Sequence, residues 1–252
     1  MNRKTVYTPS FFNFQSAGSL ASARAILPYV MELIRPKSVI DVGCGTGEWL
    51  SVFQELGVPV VRGVDGDYVE RSRLRIAPEC FIPHDLSKPL ALAETFDLAM
   101  SLEVAEHLPE SAAANFVKTL VQLAPVVLFS AAIPFQSGTG HINEQWPEYW
   151  AELFANHGYS VYDCIRGRFW NHPDVSAWYA QNTLLYVREG AAHNYPSLPA
   201  PASSRTQPAL TRIHHRLWLE RADPEKMGGR AALRVISKVF MSKIRGLIRR
   251  SR

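Results

Sequence analysis

A doubly wound α/β domain built on a mostly parallel sheet, with a C-terminal helical tail, is the fold class this sequence predicts. Three observations predict it. Short β-branched runs alternate with helical patterns over residues 38–187, and a glycine-rich turn follows the first such run. The 252 residues are 47% apolar and 20% charged, enough for one large core and too apolar for general disorder or a fibre.

The elements follow in order. The chain opens on the aromatics Tyr7, Phe11, Phe12 and Phe14, then settles into helical spacing over residues 19–34. Strand runs at 39–42, 60–64, 81–82, 96–102, 126–132, 159–165 and 183–187 alternate with helical patterns at 46–56, 68–75, 109–123 and 147–157. Residues 166–181 read as non-helical, so the last two strands are expected to form an antiparallel edge. Residues 1–189 make the expected domain. Residues 190–209, rich in Pro, Ala and Ser, read as a linker, and 210–252 as a basic tail.

Charge divides the chain. Residues 1–204 carry 14 Lys and Arg against 20 Asp and Glu, a net of −6, whereas residues 205–252 carry 13 against 3, a net of +10. An acidic body with a basic end is not a uniformly basic nucleic-acid binder. Cys44, Cys80 and Cys164 have no paired spacing, which predicts neither a disulfide framework nor a zinc cluster and points to the reducing cytoplasm. The first 14 residues hold two basic residues with no apolar run behind them, so no signal peptide is expected. The apolar stretch at 126–135 is too short to cross a bilayer.

The chemistry concentrates at strand ends. Asp41-Val42-Gly43-Cys44-Gly45-Thr46-Gly47-Glu48 is a strand running through a glycine turn into a helix, where backbone can approach a ligand closely. A dinucleotide-binding turn needs glycine at position 48, and Glu48 would repel a pyrophosphate, which disfavours NAD and FAD. Asp65 ends the second strand 18 residues after Gly47, where a carboxylate can accept both hydroxyls of a ribose. Asp85 follows the third strand, where a carboxylate can accept from an adenine amino group while Leu86 covers the ring; either aspartate taken alone reads equally as a helix cap or turn residue.

On these residues, together with Phe96-Asp97-Leu98 and Glu103, the chain resembles the class I S-adenosylmethionine (SAM)-dependent methyltransferases over residues 20–188. The resemblance implies a seven-stranded sheet with the last strand inserted antiparallel. It also implies that Asp41, Gly43, Gly45 and Gly47 hold the methionine end, Asp65 the ribose, and Asp85 and Leu86 the adenine, with Glu103 beside them. An acidic cleft suits a sulfonium cation.

Past the fourth strand, Glu103-Val104-Ala105-Glu106-His107 resembles the E-x-x-E-H run of ubiquinone-pathway O-methyltransferases and small-RNA 2′-O-methyltransferases. By that likeness Glu103, Glu106, His107 and His141 hold a divalent cation, Mg²⁺, Mn²⁺ or Zn²⁺, that binds the acceptor oxygen. A metal-free general base at His107 or His141, assisted by Glu106, is the competing reading, and a structural cap at His107 a third. Trp146, Tyr149 and Trp150 read either as a wall of the acceptor pocket or as core.

In the tail, Leu233, Ile236, Phe240, Ile244 and Leu247 share one helical stripe opposite Arg234, Lys238, Arg245, Arg249 and Arg252. That stripe suits peripheral contact with an anionic membrane or packing on protein; without interleaved aromatics, nucleic acid is disfavoured. The expectation is an O-methyltransferase for a small-molecule, sugar or lipid-linked glycan hydroxyl. An RNA or amine methyltransferase, or a silent SAM-fold binding module, is the alternative.

Overall fold

The computed structural model describes residues 9–136, 138–202 and 210–222, with 229, 233 and 237; for 9–16 it describes the backbone alone. The chain divides into two compact units, Met1–Arg212 and Ile213–Arg252. In the first, seven strands order as β3-β2-β1-β4-β5-β7-β6: β1 Ser38–Val42, β2 Val60–Asp65, β3 Phe81–Pro83, β4 Leu98–Leu102, β5 Val126–Ser130, β6 Tyr159–Tyr162 and β7 Leu184–Arg188. The β1–β5 pairings are parallel, and β7 pairs antiparallel with both β5 and β6.

Strand residues alternate between two cores because successive side chains face opposite sides of a sheet. Val39, Val61, Met100 and Leu128 join a cluster with Ile26, Leu27 and Val30 of helix α1 (Pro9–Ile34) and Leu50 and Phe53 of α2 (Glu48–Glu55). Ile40, Val64, Ala99 and Phe129 meet Phe116, Val117 and Leu120 of α3 (Ala113–Leu123) and Trp150 and Phe154 of α4 (Pro147–Ala155). Both faces of β1, β4 and β5 are thus covered, as near-continuous apolar runs require. Only the strand ends remain for chemistry.

Two local expectations need correction. Residues 68–75 form no α-helix; a single 3-10 turn spans Arg71–Arg73. Their hydrogen bonds go elsewhere: Tyr68 Oη donates to Asp65 and the Arg75 amide to the Thr46 carbonyl, while Pro78 holds Ala77 in an extended conformation. Residues 166–181 do contain helix, in two short pieces, α5 (Arg166–Phe169) and α6 (Ala177–Asn182), parted around Pro173. Four and six residues are too few to show a helical period in sequence.

Residues 190–202 lie against the domain: Ala192, Tyr195 and Leu198 pack on its core, and the Ala202 amide donates to the Val161 carbonyl. Further on, fully buried Arg166 donates to both oxygens of Asp163 and to the Leu210 carbonyl, while Thr211 donates to Glu148. The second unit contains α7 (His215–Ala222), on which Trp218 and Leu219 are exposed. The apolar stripe of the tail and its opposing cationic face fall outside the described residues apart from Leu233, as do the side chains of Phe11, Phe12 and Phe14. No helix among the described residues is long and apolar enough to cross a membrane.

Candidate active site

β1 delivers its chain into the glycine turn with Gly43 at φ 97° and Gly47 at φ 87°. A Cβ at Gly43 would sit 2.3 Å from Val104 Cγ2, so glycine is required there for space as well as for conformation. The turn is held by Gly43 and Cys44 amides donating to the Val64 carbonyl. Asp65, 5% exposed, closes it. Its Oδ2 accepts from the Gly45 amide at 2.8 Å, and its Oδ1 from the Gly66 amide and Tyr68 Oη at 2.6 Å each. The carboxylate expected at a ribose therefore also shapes the turn beneath it.

The cleft here, open on one side with a cavity volume of about 50 Å³, is lined by Asp41, Gly43, Gly45, Glu48, Trp49 and Tyr179, among others. None of its lining residues is a lysine or arginine. Asp41 is buried, and desolvation, then Asp65 and Glu48, push its pKa well above the usual carboxylate range. Such a group favours an arriving cation. At the neighbouring strand end Asp65 pairs in register with Pro83, which places Asp85 close by in sequence. Asp85 Oδ1 accepts from the amide and hydroxyl of Ser87, and Leu86 packs partly buried on the core.

The second half of the site lies past β4. Glu103 takes φ 57°, a left-handed conformation uncommon for a side-chain-bearing residue and costly unless surroundings impose it. Its carboxylate accepts from Asn182 Nδ2 at 3.0 Å and Gln136 Nε2 at 3.1 Å; Gln181 Nε2 donates to Gln136 Oε1, closing a ring of amides. Burial raises the Glu103 pKa against these bonds.

Glu106 is fully buried, and neither of its oxygens has a well-formed hydrogen bond among the described residues. Desolvation first, then Glu103, push its pKa well up, and the amides of Glu106 and Ala132 offset this only partly. Donor atoms of Glu106, His107 and His141 lie within 4.8 Å of one another, and the two imidazole rings meet edge-on at 4.9 Å. Glu103 is not in that group; its oxygens accept from the Gln136 and Asn182 amides, with the Glu106 carboxyl beside them. His141 Nδ1 lies 2.9 Å from Glu144 Oε1, whose Oε2 accepts from the Phe135 amide.

Of Trp146, Tyr149 and Trp150, read from sequence as either pocket wall or core, Trp150 takes the core reading. It is 2% exposed and packs on Phe129 in the core. Trp146, which precedes α4, is 38% exposed. Glu144, Gln136 and Asn182 were missed. Only Glu144, three residues beyond His141, carried any local signal.

Residues 16–166 match the model of a family described as a methyltransferase domain. A ubiquinone biosynthesis O-methyltransferase from Neisseria meningitidis serogroup C (strain 053442) is 34% identical over 100 residues, covering 34% of this chain and 41% of the relative. The chain thus matches about two fifths of that relative's length. Among solved structures, magnesium protoporphyrin IX methyltransferase from Synechocystis PCC 6803 with bound S-adenosylhomocysteine (SAH) superposes with a TM-score of 0.52 at 18% identity, over 71% of this chain and 88% of that one. DesVI of Streptomyces venezuelae gives 0.53 at 15% identity, over 74% and 98%. These structural likenesses speak for the fold. The family match covers more than half of the sequence: the chain belongs to this methyltransferase family.

Proposed function

We propose that the protein is a SAM-dependent enzyme that methylates a hydroxyl group on a small molecule, sugar or lipid-linked glycan, with a divalent cation held by Glu106, His107 and His141. The observation that carries this reading is Glu106. A fully buried carboxylate without well-formed hydrogen bonds, beside two imidazoles, has the donor chemistry of a cation ligand. The set fits: its spread of 4.8 Å is little more than one ion with bonds of about 2.1 Å spans. The O-methyltransferase of Neisseria, 34% identical over its matched part, supports the choice of oxygen over nitrogen.

SAM supplies an electrophilic methyl on a sulfonium, so catalysis rests mainly on positioning. When SAM is bound, its methionine ammonium would be held by Asp41 and Glu48, its ribose hydroxyls by Asp65, and its adenine by Asp85 with Leu86. A bound cation lowers the pKa of a coordinated hydroxyl and orients it. Glu144 holds the proton on His141 Nδ1, which leaves the lone pair on Nε2 to face either the cation or the acceptor's proton. Glu103, fixed by Asn182 and Gln136, is a rigid wall between the two halves.

The test is transfer of labelled methyl from SAM into fractionated cell extract, with and without chelator. Label in an ether, lost on chelation and restored by Mg²⁺ or Mn²⁺, is the expected result. Label in an amine or an RNA would overturn the acceptor class, and chelator-insensitive turnover would overturn the cation.

A further inference from the structure

The cleft at the glycine turn contains a polar group that the fold satisfies only weakly. Trp49, in the first turn of α2, is 5% exposed and lines the cleft, yet its indole Nε1–H makes no well-formed hydrogen bond among the described residues, only a loose approach to Tyr179 Oη. Buried donors are nearly always well paired, so a poorly paired one inside a ligand cleft points to a partner that arrives with the ligand. Trp49 packs edge-on against Tyr179, with ring centroids 5.1 Å apart. Tyr179 Oη in turn shares a 2.9 Å hydrogen bond with Ser19 Oγ of α1, and both residues also line the cleft. Of the two hydroxyl hydrogens in that pair, one is spent between them and the other remains to donate.

The charge of the cleft adds a second constraint. Its carboxylates, Asp41 and Glu48, suit an ammonium; Arg75, 3.5 Å from Glu48 Oε1, is engaged with that carboxylate, and no lysine or arginine lines the cleft itself to receive the carboxylate that an amino-acid ligand also carries. Neutral donors must serve, and those at hand are Trp49 Nε1 and the Ser19–Tyr179 hydroxyls. We propose that these three side chains form the receptor for the α-carboxylate of the cofactor's methionine end. This rests on the proposed use of SAM and extends it to residues outside the glycine turn. Two consequences follow. The N-terminal helix α1 becomes part of the cofactor site through Ser19, and a carboxylate bound without a cation leaves the cleft negative beside the sulfonium.

Calorimetric titration of the full chain with SAH and with 5′-methylthioadenosine, the same thioether nucleoside without the amino acid, tests the assignment. Trp49→Phe is expected to weaken SAH about tenfold and to leave methylthioadenosine within about twofold. Ser19→Ala, a smaller change, is expected to shift SAH in the same selective way and keeps the test open if Trp49→Phe does not fold. Equal loss of both ligands, or SAH affinity unchanged in both variants, overturns the carboxylate receptor. Failure of the wild-type chain to bind either ligand overturns the cofactor assignment itself, a separate outcome.

Discussion

Asp65 and Glu106 are both buried carboxylates at the same edge of the sheet, one ending β2 and the other just past β4, and their surroundings are opposite. Asp65 accepts from two amides and a tyrosine hydroxyl; Glu106 has no well-formed bond among the described residues. Donors supplied by the chain itself stabilise an ionised carboxylate and freeze its position. A buried carboxylate without them stays high in energy until a proton or cation arrives. The Asp65 carboxylate is therefore finished by the fold, whereas the Glu106 carboxylate awaits completion from outside.

The largest expected effect removes the finished carboxylate. Asp65→Ala leaves three donors without their acceptor, costing on the order of 3–5 kcal/mol in denaturant unfolding and lowering SAH affinity more than about 100-fold by calorimetry. Trp150→Ala follows, at about 3 kcal/mol or more of stability with SAH affinity kept, because it empties core and not pocket. Glu144→Gln probes the surroundings of the unfinished carboxylate: it releases His141 and is expected to weaken Mn²⁺ binding about 10- to 100-fold while SAH binding holds.

A pH dependence comes next. The Asp41 pKa is raised from its ordinary 3.8, so the ligand-free fold holds a proton that the unfolded chain releases. That stability is fully present below 3.8 and is lost as pH rises through the raised folded value. The ammonium of SAH prefers ionised Asp41, so SAH affinity should climb over the same window, by at most about tenfold per pH unit, then level off. Asp41→Asn should flatten the climb, as a titration series would reveal. Smallest of all, Trp146→Ala should change stability by less than about 0.5 kcal/mol, which thermal melts can check.

What was readable in the sequence divides along the same line. The glycine turn and Asp65 were legible because glycine spacing and strand ends are local patterns, and parallel register carries Asp65 to Gly45. Glu106, His107 and His141 were legible as residue types, yet their grouping without Glu103 depends on amides from the β5–α4 loop and α6. Trp49, Ser19 and Tyr179 meet only through packing of α2, α1 and α6, elements that no local spacing relates. Trp146 and Trp150 share one aromatic motif, and the orientation of α4, which begins between them, sends only Trp150 into the core. In residues 68–75 a helical pattern yields to the site, because Tyr68 and Arg75 bond to the turn in place of their own helix.

The contrast between the two carboxylates is tested most directly by titrating Mn²⁺ into the wild-type chain and into Glu106→Gln and following heat and melting temperature. A single site that raises the wild-type melting temperature and disappears in Glu106→Gln, with SAH binding intact in both, is the predicted result. Equal Mn²⁺ binding in the two proteins, or none in the wild type, would contradict it.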